Sequence, residues 1–183
     1  MRLIGATIAS LMLAAIPALA DDTVPWGKGE VAGWDIAVDQ SLGGGCFILA
    51  LFDGNAIVRI GFDPGNSDYY LMLSDADWQS IEAGKDYDLK LTLGRRAPWD
   101  AAATGIMMGD QPALLVRSTD ADFIEEFSGQ QNIRVEYAGS EIANLNLSGS
   151  AAALREMINC QSTMNENATA ADPFKKTADP FAQ

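Results

Sequence analysis

Hydrophobic positions along most of the chain recur with a period of two, the spacing that places alternate side chains on one face of a β-strand. Residues 46–52 (CFILALF) are apolar at every position, as in a central strand that is buried on both sides. Turn residues follow two of the runs, as Asp53-Gly54-Asn55 and Asp63-Pro64-Gly65-Asn66. The spacing slips between Ile142 and Leu145, which predicts a β-bulge. Strands are predicted over residues 31–38, 46–52, 56–62, 69–73, 87–93, 113–116, 133–137 and 142–147.

Three segments change to helical spacing, and each begins with a serine, threonine or aspartate that can accept hydrogen bonds from free N–H groups of a first helical turn. The first two stop at a glycine, which suits the left-handed position that follows a helix. The third aligns Leu154, Met157 and Ile158. Helices are predicted from Ser74-Asp75 to Gly84, from Thr119-Asp120 to Gly129, and from Ser148 or Ser150 onward.

The first two helical segments share letters at a constant offset. Asp75-Ala76-Asp77-Trp78 matches Asp120-Ala121-Asp122-Phe123, 45 residues further along the chain. Two interpretations stay open: an internal strand-helix-strand duplication, or capping chemistry that favours the same residues twice. The predicted fold class is mainly β with short helices (α+β), as an antiparallel β-sandwich or barrel-like domain.

The N-terminus has the layout of a secretory signal peptide. Arg2 supplies a positive charge, residues 3–16 are largely apolar, Pro17 breaks the run, and Ala18-Leu19-Ala20 has small residues where a signal peptidase cuts. We therefore predict a signal peptide over residues 1–20 with cleavage near Ala20, a periplasmic or secreted product, and no transmembrane anchor. The predicted mature chain has three parts: a flexible N-terminus at 21–30, one β-rich domain at 31–161, and a disordered tail at 162–183.

Cys46 and Cys160 are the only cysteines, and neither lies in a Cys-x-x-Cys motif. An even pair in an exported protein predicts a disulfide. It would join the first core strand to the last helix.

The net charge and the absence of histidine exclude several classes of partner and of catalytic or metal site. The chain of 183 residues has 25 acidic and 12 basic side chains, no histidine, and a formal net charge of −13. The charge argues against nucleic acid as a partner, because nucleic-acid binding needs a face rich in lysine and arginine. Without histidine there is no Ser-His-Asp or Cys-His nucleophile and no histidine-ligated zinc or haem. No catalytic residue, cofactor or metal ligand is predicted.

Carboxylates remain as candidate chemistry. Asp75 and Asp77, or Asp120 and Asp122, could form an acid/base pair for hydrolysis, but their place at predicted helix starts gives them a structural role. A calcium site could form from oxygen ligands in two turns, if the turns meet in the fold. Turn chemistry is the better explanation of the residues concerned, which are Asp53, Asn55, Asp63, Asn66 and Asp68. Met107-Met108 is interpreted as core packing rather than as a copper site.

Two surface features are candidates for contact with a ligand or partner. Arg95 and Arg96 stand beside Trp99, where two guanidinium groups and an indole could grip an anionic group; a solvated turn with a buried Trp99 is the competing interpretation. The tail repeats an Asp-Pro-Phe tripeptide, which could dock an aromatic anchor in a partner's groove or be a chance repeat in a low-complexity tail. The repeat consists of Asp172, Pro173 and Phe174, then Asp179, Pro180 and Phe181.

The closing run Leu145-x-Leu147-Ser148-Gly149-Ser150-Ala151-Ala152-Ala153-Leu154, ending at Cys160, resembles the end of exported proteobacterial proteins similar to invasion-associated locus B. The resemblance covers residues 31–160 in outline and about the last fifteen of them in letters. It implies a periplasmic or envelope β-rich domain, linked in some members to host-cell colonisation, and it supplies no catalytic residues. We expect a non-enzymatic binding or accessory protein of the cell envelope, with another envelope protein or a small ligand as its partner. A carboxylate-dependent periplasmic hydrolase and a periplasmic inhibitor or immunity protein are the alternatives.

Overall fold

The computed structural model describes residues 22–170, which form ten β-strands and two α-helices. The signal peptide predicted over 1–20 and the Asp-Pro-Phe repeats lie outside these residues. The strands are β1 Thr23–Val31, β2 Trp34–Asp39, β3 Gly45–Leu51, β4 Ile57–Asp63, β5 Asp68–Ser74, β6 Asp86–Leu93, β7 Trp99–Met108, β8 Gln111–Ser118, β9 Asn132–Tyr137 and β10 Ser140–Asn146. The helices are α1 Ala121–Gly129 and α2 Ser150–Ala170.

All ten strands belong to one antiparallel sheet, in the order β1-β2-β3-β4-β5-β8-β7-β6-β9-β10. This confirms the mainly β, antiparallel α+β class. The sheet is open, with β1 and β10 at its two edges, so it does not close into a barrel. Most neighbours in the sheet are also neighbours in the chain, because short turns suffice to join antiparallel strands.

The main core lies between one face of the sheet, called here the inner face, and the two helices. Alternate residues of the strands point into it, such as Ile48 of β3, Ile60 of β4 and Leu91 of β6. Phe127 of α1 and Met157 of α2 meet them from the other side, and both are fully buried. The period-two pattern of the sequence therefore records which side chains face the helices.

Three contacts join β2 and β3 to α2 and to the residues just before it. The predicted disulfide is confirmed: Cys46 of β3 is bonded to Cys160 of α2, with 6.1 Å between their Cα atoms. The Cys46 N–H donates to Oε1 of Gln161 at 2.8 Å. Nε1–H of Trp34 donates to the carbonyl oxygen of Ser148 at 3.0 Å, just before the helix begins.

The opposite face of the sheet carries a second, smaller cluster of buried residues. It includes Phe47, Leu49, Tyr70 and Met72 of the central strands. This explains the apolar run from Cys46 to Ala50, since both faces of β3 are buried over these residues, whereas Leu51 is 68% exposed. The interpretation of Met107-Met108 as core packing holds in part: Met108 packs against this cluster, whereas Met107 is 50% exposed.

The first predicted helix, from Ser74 to Gly84, is wrong. Its hydrogen bonds are isolated turns of the 3₁₀ type, from Trp78 N–H to the Asp75 carbonyl and from Ile81 N–H to the Trp78 carbonyl. The strand-helix-strand duplication therefore fails, because only the second copy contains a helix. The second and third predicted helices correspond to α1 and α2.

Two boundaries also differ from the prediction. Residues 23–31 form β1 rather than a flexible segment, and Trp26 Nε1–H donates to Oε1 of Glu156 at 3.0 Å. Residues 162–170 continue α2 rather than starting a disordered tail, and Met164 packs against the core. The sequence pattern also missed β7, whose Ala101-Ala102-Ala103 run has low intrinsic preference for a strand.

Both edge strands are irregular. The pairing of β1 with β2 shifts register between Pro25 and Glu30. The pairing of β10 with β9 shifts between Glu141 and Ala143, beside the predicted slip at Ile142.

Candidate functional site

A cavity of about 180 Å³ opens between the inner face of the sheet and α1. Its walls are mainly apolar and include Leu71, Leu91, Val116 and Phe123. Asp100, Arg117 and Ser118 contribute the polar part of the lining. Ligand sites in proteins commonly combine such an apolar lining with a few polar groups.

A larger groove of about 680 Å³ lies between α1 and α2. We call it the helix groove, and its residues are Phe62, Tyr69, Ala121, Ile124, Glu125, Ser128, Ala151, Leu154, Arg155, Ile158, Gln161, Ser162 and Asn165. Ile158 lies in it with 46% of its surface exposed. Tyr69 and Ile124 line both the helix groove and the cavity, so the two concavities adjoin.

Local sequence explains how α1 is placed to form both concavities. The Asp120 carboxylate accepts a hydrogen bond from the Asp122 N–H at 2.9 Å and begins the helix. Phe123 and Phe127 lie on the face of α1 that is buried in the main core. Phe123 packs edge-on against Trp99, with 5.7 Å between ring centroids.

Trp99 is therefore part of the cavity wall. Its ring is half-buried, and Nε1–H donates to Oε2 of Glu126 at 2.7 Å. Arg95 and Arg96 are exposed in the turn between β6 and β7 and line neither concavity. The structure thus brings Trp99 to the candidate site and leaves the two arginines outside it. Contact of any of the three with a ligand remains a prediction.

A polar cluster stands at the β4–β5 turn. Nη1–H of Arg117 donates to Oδ2 of Asp63 at 2.7 Å and to Oδ1 of Asp68 at 3.0 Å, and Asn66 Nδ2–H donates to Oδ2 of Asp63 at 2.8 Å. Burial opposes ionisation of Asp63, but the hydrogen bonds from Asn66 and Arg117 outweigh it and hold the pKa of this carboxyl below the ordinary 3.8.

This cluster bears on the calcium hypothesis. A guanidinium already serves as the cation for Asp63 and Asp68, and Asp53 and Asn55 lie at the other end of β4. The two turns therefore do not meet. Among residues 22–170, no three acidic or cysteine side chains gather as a group that could hold a metal ion. Turn chemistry accounts for these residues.

A second ion pair, between Arg59 and Asp39, lies on the opposite face of the sheet, and neither residue lines the cavity or the helix groove, although Tyr70, which accepts from Arg59, is part of the cavity lining. Arg59 bonds to the Asp39 carboxylate, its guanidinium stacks on Phe47 at 3.7 Å from the ring centroid, and its Nε–H donates to the Tyr70 hydroxyl at 2.8 Å. Burial raises the pKa of Tyr70 to about 12, against the opposing charge of Arg59. Burial also opposes ionisation of Asp39, yet hydrogen bonds from Ser41 and Arg59 hold its pKa below 3.8.

The acidic pairs considered for hydrolysis have local structural roles. Asp75 Oδ1 accepts from the Asp77 N–H at 2.9 Å, in the same way that Asp120 caps α1. Both capping carboxylates belong to exposed hydrogen bonds within their own turns, and neither lines the cavity or the helix groove.

Sequence reasoning missed the helix groove. A signal for it was present: the α2 residues that line it recur three and four positions apart, as one face of a helix does. Only Leu154 and Ile158 of that face are large and apolar, and the sequence pattern aligns them with Met157 on the predicted third helix.

Comparison with solved structures finds the crystal structure of invasion associated protein B from Bartonella henselae. The match covers 73% of this chain and 96% of that chain, with a TM-score of 0.51 and 13% sequence identity. The two proteins share a fold. No family model matches the sequence, and no curated protein matches it. The resemblance of residues 145–160 to the invasion-associated locus B family is therefore accompanied by a similarity of fold, and not by a match between sequences.

A search of residues 22–170 finds no helix with the length and apolar character needed to cross a membrane.

Proposed function

We propose that this chain is an exported, non-enzymatic binding or accessory protein of the bacterial cell envelope. The observation that carries the proposal is the pair of adjoining concavities, with large apolar side chains in the walls and Ile158 exposed within the helix groove. An exposed apolar side chain set in a concave surface favours a partner that covers it.

The two buried carboxyl groups with shifted pKa values, Asp39 and Asp63, favour binding over carboxylate-dependent hydrolysis. A general acid needs a raised pKa to hold its proton at neutral pH. The buried carboxyls Asp39 and Asp63 have lowered pKa values and are engaged by arginines, so they act as structural anions.

Two features support the envelope. A disulfide persists in an oxidising compartment such as the periplasm, and the sequence begins with a predicted signal peptide. The fold match to a protein named for its association with invasion supports extending the proposal to host interaction. An inhibitor or immunity protein would be one form of the same binding role.

The proposal is tested by photo-crosslinking in living cells. A photoreactive residue replaces Ile158 in one variant and Met107 in the control; both side chains are about half exposed, at 46% and 50%, but only Ile158 lies in the helix groove. We expect a defined adduct with an envelope component from position 158 and none from position 107. Equal adducts at the two positions, or recovery of the chain in the cytoplasm with residues 1–20 intact, would contradict the proposal.

A further inference from the structure

The cavity lies where two neighbouring strands of the sheet separate. β7 and β8 pair from Ala103 and Val116 to their hairpin, but both strands extend beyond these two residues. Within the described part of the chain, residues 99–102 of β7 pair with β6 alone, and residues 117–118 of β8 pair with β5 alone. Residues of both strand ends line the cavity, so the separation of the strands helps to form it.

The size and the walls of the cavity suit one aromatic ring. An apolar cavity of about 150 Å³ holds a benzene molecule. This cavity, at about 180 Å³, has room for a ring with a small substituent. Tyr69, Trp99 and Phe123 belong to the lining, and Trp99 and Phe123 already pack edge to face. Aromatic rings prefer such edge-to-face or offset contacts with one another, so these walls favour an aromatic occupant over a saturated one of the same size.

Ser118 supplies a hydrogen-bond donor at the cavity wall. It follows Leu114 and Val116 in steps of two along β8, so its side chain lies on the same inner face of the sheet. Its Oγ accepts from the Asp120 N–H at 3.0 Å, and its own O–H has no acceptor among residues 22–170. The hydroxyl proton is therefore available to an acceptor oxygen of a ligand.

The two charged residues in the lining point away from the inner wall. Asp100 and Arg117 each alternate with inner-face residues of their own strand, so their side chains lie on the opposite face. Both are also engaged by the protein, since Asp100 accepts from Lys90 at 3.0 Å and Arg117 binds Asp63 and Asp68. A charged ligand would lose its hydration in the cavity without gaining a partner, which favours a neutral ligand.

We propose that the cavity binds a small neutral aromatic molecule, with one six-membered ring and a single oxygen-bearing substituent whose oxygen accepts from the Ser118 O–H. The inference rests on the proposed function and deepens it, because it names the class of ligand that one of the two concavities takes.

The test titrates the purified, full mature chain with two probes, benzyl alcohol and toluene, which differ by one hydroxyl group. The backbone and indole N–H resonances are followed by NMR, with the Trp99 indole N–H as the reporter in the cavity wall. Both probes should bind one site saturably with dissociation constants of about 1 mM or below, because the burial of their carbon atoms drives binding. Nuclear Overhauser contacts from the ring protons to the methyl groups of Leu91 and Val116 should locate each probe in the cavity.

Ser118→Ala should raise the dissociation constant of benzyl alcohol by about threefold to tenfold, the contribution of one hydrogen bond, and leave that of toluene unchanged. Unchanged toluene binding shows that the cavity of this variant is intact. Ala101→Leu adds three carbon atoms at the inner wall and should abolish binding of both probes. Ala83→Leu adds the same atoms at an exposed position outside both concavities, so it is the matched control and should leave both affinities unchanged.

Three analogues test the ligand class. Benzoate and benzylamine should bind at least about tenfold more weakly than benzyl alcohol, because each carries a charge. Cyclohexylmethanol, the saturated counterpart, should bind about threefold more weakly. Absence of saturable binding, an effect of Ser118→Ala that does not distinguish the two probes, or tighter binding of any of these analogues would overturn the inference.

The proposed function is tested separately by the crosslink from position 158. If the adduct with an envelope component forms in cells while neither probe binds the purified chain, the cavity inference is wrong and the proposed function stands. If the probes bind as expected and position 158 gives no adduct, the ligand site stands and the envelope partner at the helix groove is wrong.

Discussion

Reduction of the disulfide between Cys46 and Cys160 should lower the free energy of unfolding by about 4 to 5 kcal/mol. The bond closes a loop with a sequence separation of 114 residues. In the chain-entropy model, a loop of that length restricts the unfolded chain by about 4.8 kcal/mol at 25 °C. Domains of this size are stable by only about 5 to 15 kcal/mol, so the loss is a large part of the total.

Urea unfolding with and without reductant measures this difference. Trp34 provides the signal, because its indole is fully buried in the main core and bonded beside the start of α2. The reduced chain should also unfold with a larger dependence on urea concentration, since its unfolded state is less compact. A variant with Cys46→Ala and Cys160→Ala is the control and should not respond to reductant.

A change of less than about 1 kcal/mol on reduction would refute the reasoning. It would mean that the unfolded chain is nearly as restricted without the covalent link as with it, for example through residual structure.

Three further predictions concern stability. Asp63→Asn should lower the free energy of unfolding by about 1 to 3 kcal/mol at pH 7. Folding lowers the pKa of Asp63, so the stability that this carboxylate contributes is present above about pH 4 and is lost as the pH falls through the folded pKa. The unfolding free energies of the two proteins should therefore converge when they are measured at decreasing pH. Gly149→Ala should cost about 2 kcal/mol or more, because a Cβ there would lie 2.2 Å from the Ala32 carbonyl oxygen at a φ of +87°. Gly139→Ala, at a φ of +80° with open space around it, should cost only the backbone strain of about 1 kcal/mol in the same denaturation assay. Deletion of 161–183 should lower the melting temperature by several degrees, since it removes the end of α2, whereas deletion of 171–183 should change it little; equal losses would contradict the boundary at Ala170.

The two segments with shared letters show how far local sequence could predict the fold. At the offset of 45, Trp78 corresponds to Phe123, but Gln79 stands where Ile124 is and Glu82 stands where Phe127 is. Phe127 is fully buried, so α1 has three apolar anchors on one face and the earlier segment lacks two of them. The residues that the two segments share are mainly those that cap the start of a helix. Capping alone does not maintain a helix, because burial of an apolar face supplies most of its stability.

The ends of the domain were mispredicted for a different reason. Residues 23–31 contain Pro25, and Gly27 and Gly29 have positive φ. Because the strand is irregular at these glycines and its pairing with β2 shifts register, its hydrophobic residues do not recur with a period of two. Residues 162–170 are polar, and side-chain bonds within the helix accompany the continued turn, such as Ser162 Oγ–H to the Ile158 carbonyl at 3.0 Å. The candidate site depends on which faces of α1 and α2 meet, and a single sequence does not record that.

The register shifts at the two outermost strands bear on how copies of this protein meet. A straight strand at the rim of a sheet offers a row of free N–H and C=O groups on which another molecule can add a strand, and chains of such additions grow into fibrils. Here Pro25 removes one donor from β1, and the shifts in β1 and β10 break the regular spacing of the rest. At high protein concentration, these interruptions disfavour the pairing of an edge strand with a strand of a second molecule, and therefore disfavour growth of the sheet from one molecule to the next.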